Sequence, residues 1–217
     1  MLLPVFLGRK PARAVAASAP APDKLYLRSV VEAFLVSCGA VALAELGDKT
    51  QLLALVLAAR FRAPGAVILG ILTATLANHF LAGAVGTLLA AYLNPGVMRW
   101  VLAASFIATA LWMLVPDKDT GLAEKPARFG AYGTTAITFF LVEMGDKTQI
   151  ATAALAAKYQ ALIPVVAGTV LGMMIADVPV VLLGEAVAKK IPLTLVHRVA
   201  AAAFIVLGVL MILGVRT

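Results

Sequence analysis

Six apolar stretches dominate the chain: residues 30–59, 65–93, 97–115, 131–157, 162–187 and 193–215, each between 19 and 30 residues long. A helix that crosses a bilayer needs about 20 apolar residues, whereas a barrel strand would need about 10 with alternating polarity. The pattern therefore predicts six membrane helices. The gaps hold the residues that end such helices: Arg60, Arg62 and Pro64; Asn94, Pro95 and Gly96; a mixed-charge segment over 116–128; Lys158 and Gln160; Lys189, Lys190 and Pro192.

The strongest ordering signal is repetition. Glu45-Leu46-Gly47-Asp48-Lys49-Thr50-Gln51 recurs as Glu143-Met144-Gly145-Asp146-Lys147-Thr148-Gln149, six of seven residues identical at an offset of 98. The flanks keep this register without a gap: Gly70 falls on Gly168, Gly86 on Gly184 and Met113 on Met211. Each half holds three spans, an odd number, so the second half enters the membrane from the side opposite the first. The expected fold is an all-α membrane protein of six transmembrane helices built as two inverted three-helix repeats, an arrangement that places transporter sites near the midplane. The expected organisation is a disordered basic tail over 1–28, a first repeat over 29–115, a central loop over 116–130 and a second repeat over 131–217.

Composition agrees and narrows the function. With 62% hydrophobic and 13% charged residues, and a mean hydropathy of +0.99, little remains for a separate soluble domain. The formal charge of +7 reads as loop and tail charge, with no nucleic-acid partner. The apolar start, residues 1–8, precedes the basic cluster of the tail, the reverse of a secretory signal. Lys and Arg outside the motifs divide eight against eight between the two sides; with the tail discounted, three against eight, which puts the central loop in the cytoplasm. The single cysteine, Cys38, excludes an intrachain disulfide and a cysteine metal cluster.

The chemistry lies in the motifs. Glu45 and Asp48 fall 15 and 18 residues into the first span, and Glu143 and Asp146 fall 12 and 15 residues into the fourth, at membrane depth, where an ionisable group costs at least about 2.5–3.5 kcal/mol. In a continuous helix each Glu would stand over its Asp, with Lys49 and Lys147 on that same face. Gly47 and Gly145 invite close helix approach or a local break that frees carbonyls. Four carboxylates and two lysines leave a formal −2, which one divalent cation neutralises. The hydroxyls of Thr50 and Thr148 and the amides of Gln51 and Gln149 add hard oxygen donors, suited to Mn²⁺, Ca²⁺ or Mg²⁺ rather than to zinc or copper. A buried ion-pair network that merely fixes helix register is the plainer reading, and duplication of the motif at membrane depth argues against it.

Two copies of Glu-x-Gly-Asp-Lys-Thr in a small six-span chain resemble the GDT family of manganese and calcium transporters, over residues 30–215. The resemblance implies a proton-coupled cation exchanger, in bacteria chiefly a manganese exporter of the inner membrane. It carries the cation-binding role onto Glu45, Asp48, Glu143 and Asp146. The partners are then a divalent cation, protons and the lipid bilayer; no cofactor is required, and the oligomeric state stays open. Two rivals are an exporter of another small polar solute and an intramembrane aspartyl protease, the latter because each half places a Gly-Asp pair within a span.

Other polar positions carry weaker expectations. His79 and Asp177 are equivalent under the 98-residue offset and, with Asn78, are candidates for a supporting or proton-path role. Pro179 is expected to weaken the fifth span. Glu32, Glu185 and His197 read as interfacial, Cys38 as packing, and Gly168 with Gly172 as a close helix contact.

Overall fold

The computed structural model describes residues 24–115, 129–184 and 193–214. Among these, every regular element is a helix: α1 (Lys24–Glu45), α2 (Lys49–Phe61), α3 (Pro64–Tyr92), α4 (Pro95–Met113), α5 (Gly130–Glu143), α6 (Lys147–Tyr159), α7 (Leu162–Leu183) and α8 (Leu193–Ile212). Five of them, α1, α3, α4, α7 and α8, are long and apolar enough to cross a membrane. Most of the expected tail, nearly all of the central loop and Glu185 lie outside the described residues. Helix α1 begins at Lys24, five residues inside the stretch expected to be tail.

Two of the six apolar stretches are not single helices. Residues 30–59 divide into α1 and α2, and residues 131–157 into α5 and α6, each broken at the motif. The physical cause is Gly47, at φ 83°, and Gly145, at φ 81°, a left-handed conformation that L side chains rarely adopt. The expectation that Glu, Asp and Lys share one continuous helical face is therefore corrected. Pro179 has the opposite outcome, since α7 runs unbroken through it to Leu183.

The halves repeat in local detail. Helices α2 and α6 each have 13 residues, and each ends on a residue in the left-handed region, Arg62 at φ 50° and Gln160 at φ 48°. They are also interleaved. Helix α1 packs on α7 of the other half, and α5 packs on α3. A Cβ added at Gly168 would collide with the Phe34 carbonyl oxygen, while one at Gly70 would meet Tyr132 O at 2.9 Å and Thr135 Cβ at 2.7 Å. Phe34 and Tyr132 are themselves 98 apart, so one glycine-backbone contact is made twice, each time between halves. A Cβ added at Gly172 would likewise collide with the Cys38 carbonyl oxygen, which bears out the close helix contact expected at Gly168 and Gly172. The outward surface stays apolar, with Leu69, Leu76, Leu88, Ile175 and Val206 exposed, as a lipid-facing surface must be.

Gly168→Ala is expected to destabilise the fold by about 1–3 kcal/mol, the usual range for overpacking a tight contact. Gly39→Ala, in α1 with nothing within 4 Å of the added Cβ, serves as the control. Thermal unfolding in detergent checks this: a midpoint for Gly168→Ala no lower than that for Gly39→Ala would contradict the interleaved packing.

Candidate cation site

The two turns bring both motifs together in the interior. Glu45 ends α1, residues 46 and 47 turn, and Asp48 stands in extended conformation (φ −77°, ψ 168°) immediately before α2. Asp146 repeats this before α6 at φ −75°, ψ 165°. Each turn is closed by its own backbone, Asp48 N donating to Glu45 O at 3.1 Å and Asp146 N to Glu143 O at 3.0 Å. It is closed again by its glutamine. Gly47 N donates to Gln51 Oε1 at 2.8 Å and Gly145 N to Gln149 Oε1 at 2.9 Å, so both amide oxygens are occupied in holding the turn. Gln51 Nε2 donates in addition to the Ala176 carbonyl at 2.8 Å, tying the first motif to α7.

The charges pair across the motifs. Lys49 Nζ lies 2.6 Å from Asp146 Oδ1, and Lys147 Nζ lies 2.7 Å from Asp48 Oδ1. In place of one shared face per motif, the turn swings Asp and Lys of one motif toward the other. The reciprocal pattern, in which i meets j′ and j meets i′, is what a two-fold relation produces. Neither aspartate side chain caps the helix that it precedes. Both carboxylates thus sit at the positive end of a half-helix.

Glu45, Asp48 and Asp146 each offer one carboxylate oxygen, and these three oxygens lie within 4.8 Å of one another, all buried. That spread suits a single hard cation bonded at about 2.3–2.6 Å. Glu143 is fully buried but is not part of this triad. Thr50 Oγ1 donates to Glu45 Oε2 at 2.6 Å, and Thr148 Oγ1 to Glu143 Oε2 at the longer 3.3 Å, so the threonines orient the glutamates. The remaining oxygens, Glu45 Oε1 and Glu143 Oε1, are buried without a hydrogen-bond partner among the described residues. A buried acceptor in that state is costly unless a cation or a proton satisfies it.

Of the weaker candidates, Asp177 gains most. It is fully buried, neither carboxylate oxygen has a hydrogen-bond partner among the described residues, and it lies within electrostatic reach of both glutamates. Asn78 donates to the Phe140 carbonyl at 3.1 Å, and both ring nitrogens of His79 are buried without a partner among the described residues. Glu32 keeps its rim position, accepting from Tyr159 Oη at 3.3 Å. His197 does not: its Nε2 donates to the Leu46 carbonyl at 2.8 Å, within the first motif's turn. Its place near the start of an apolar stretch gave no sign of this, because the contact spans 151 residues. The matching offset, 197 against 99, was the one legible signal, since it sets a histidine opposite Arg99.

The family model described as divalent cation/proton antiporter GDT1 matches residues 33–121 and again 131–217. The chain belongs to this family. A Vibrio cholerae protein named "Putative manganese exporter" is 48% identical over 180 residues, covering 82% of this chain and 90% of its own length. No solved structure matches the chain. A GDT1 antiporter is a membrane transporter and not an enzyme, so the protease rival falls. Its two substrates, a divalent cation and a proton, are the two positive charges that a cluster of buried carboxylates can exchange.

In this antiporter the two crossed pairs differ in burial, with the Lys147 side chain 2% exposed and that of Lys49 17%. Lys147→Leu is expected to destabilise by about 3–5 kcal/mol, the range for breaking a buried pair from one side. Lys49→Leu, with water nearer, should cost clearly less. Adding Asp48→Asn to Lys147→Leu should recover part of the loss. Chemical unfolding of the three variants in detergent checks the order, and equal losses for the two lysines would contradict it.

Proposed function

We propose that this chain exports Mn²⁺ from a bacterial cell across the inner membrane in exchange for protons. The observation that carries the reading is the convergence of Glu45, Asp48 and Asp146, drawn from both motifs, in a chain of the divalent cation/proton antiporter family. Glu143 completes the carboxylate set, Thr50 and Thr148 orient it, and Lys49 and Lys147 hold the aspartates when no cation is bound. Gln51 and Gln149 keep the turns. The named Vibrio cholerae relative supports Mn²⁺ as the cation, and the all-oxygen donor set favours a hard ion, Mn²⁺ first and Ca²⁺ second.

Exchange follows from charge. Five carboxylates, with Asp177 included, against two lysines leave a formal −3 in an apolar surround. One divalent cation and one proton neutralise it, as do protons alone, so cation and protons compete for the same oxygens. Asp177 carries protons beside the triad, and Asn78 and His79 occupy the corresponding region of α3. The repeats 29–115 and 131–217 are inverted about this site, with α1–α2 and α5–α6 as the broken first and fourth of six spans. The interleaved α1–α7 and α5–α3 contacts support that arrangement, and rocking of helices around a fixed site opens it to each side in turn.

The test uses proteoliposomes containing a pH-sensitive dye. Mn²⁺ entry should drive proton exit, and an acid interior should accelerate uptake. Flux that neither moves protons nor responds to a pH gradient at clamped voltage would refute exchange. Asp48→Asn and Asp146→Asn should each reduce flux to background, with the double variant no worse than either single, because residues that act as a unit are not additive. Retention of normal flux by one single variant would mean separate sites. Zn²⁺ should act at most as a weak competitor.

A further inference from the structure

The two motif turns match in backbone but not in what covers them. At the first, α8 packs against α1, and His197, one turn into α8, donates to the Leu46 carbonyl. A carbonyl only accepts, so Nε2 carries the proton. At the second, the corresponding carbonyl is that of Met144 and the corresponding donor would be Arg99, one turn into α4. That contact is not made. Among the described residues no side chain donates to the Met144 carbonyl; Met144 is 56% exposed, and Gly145 beside it is exposed too. Helix α4 packs on α6 instead of on α5, while α8 has at most marginal contact with α2. The Arg99 guanidinium lies over the Trp100 ring, 5.5 Å from its centroid, and lines an open cavity of about 720 Å³ between α3, α4, α6 and α8.

Two turns of nearly identical sequence and dihedral angles have no local reason to differ, so the difference lies in how α4 and α8 are placed against them. A carbonyl released from a helix at membrane depth needs a donor, and only one of the two has it here. Helices α4 and α8 are also packed together as one body. Gly208 brings α8 against Ile107 and the Ala103 carbonyl, and Phe106 packs on Phe204 with ring centroids 6.1 Å apart. A displacement of this pair toward Met144 must therefore withdraw His197 from Leu46.

We infer that His197 and Arg99 are alternate latches of transport: His197 holds the first turn in the conformation described, and in the opposite one α4 seats Arg99 on the Met144 carbonyl while His197 is released. Both are positioning residues, acting through the turns that aim the carboxylates. The inference rests on the alternating-access reading above. It adds that the α4–α8 pair is the moving body, that its two end positions are related by the 98-residue offset, and that each is locked by one hydrogen bond to a broken-helix carbonyl.

The test leaves both latches in place and reports position with cysteine pairs in a Cys38→Ala background. Leu43 packs into the same apolar cluster as Ala200, so Leu43→Cys with Ala200→Cys reports the conformation described. The pair offset by 98, Leu141→Cys with Leu102→Cys, reports the opposite one, because Leu141 is now exposed while Leu102 is buried. In proteoliposomes energised with Mn²⁺ and a pH gradient, both pairs should cross-link with a short bis-methanethiosulfonate reagent. Each cross-link should stop Mn²⁺ flux, and reductant should restore it. His197→Ala should move the cross-linking ratio toward the 102/141 pair about five-fold, as loss of one hydrogen bond implies. Arg99→Ala should move it the other way, and His197→Gln, still a donor, should stay near the parent. An unchanged ratio in His197→Ala, or a 102/141 pair that never cross-links while the uncross-linked protein transports normally, overturns the latch. Absence of Mn²⁺ flux in the parent would count against the exporter reading alone, since the cross-linking ratio decides the latch without it.

Discussion

Everything in this structure depends on placing charge in an apolar interior without leaving it unpaired. Lys49–Asp146 and Lys147–Asp48 do so by crossing between halves. Pairing within one motif would neutralise the same charges and leave the halves free to separate; the crossed pattern makes each half incomplete alone. The same crossing leaves carboxylate oxygens of Glu45, Asp48 and Asp146 facing one another within 4.8 Å.

The crossing in turn requires the broken helices. In a continuous α-helix Asp48 and Lys49 would project from adjacent positions of one rod, and two such rods would bring only one pair into register. Gly47 and Gly145 remove that restriction by turning the chain through a left-handed conformation, and the glutamines two positions after each lysine tie the turn shut. The consequence is a new demand for donors, because carbonyls near each turn leave their helix. The conformation described meets that demand at Leu46 with His197 and leaves Met144 exposed. Inequality between otherwise matched halves is what a device with two end positions must have in either of them.

The same economy appears in the packing. Glycines 98 residues apart, Gly70 and Gly168, admit the backbone of the opposite half at equivalent points, so α1 is clamped by α7 and α5 by α3. These contacts position the ends of α1 and α5, where the two glutamates stand. Small residues thus fix the helix ends, and through them the distance between carboxylates.

Much of this was legible in the sequence because the signals are periodic and local. Run length gave helices, the offset of 98 gave the duplication, and the resemblance of the duplicated motif gave the family. The sequence also allowed for a break at Gly47 and Gly145, since glycine is the residue that turns there without strain. What it did not hold were contacts between residues distant along the chain. The exchange of lysines between motifs, the entry of Asp177 into the charged cluster and the reach of His197 to Leu46 depend on how helices from opposite halves lean on each other. Motifs that match at six of seven residues do not by themselves encode which of the two turns is covered. That choice is made only when α4 and α8, packed as one body, settle against one side of a nearly symmetric site, because a single body cannot cover both turns at once.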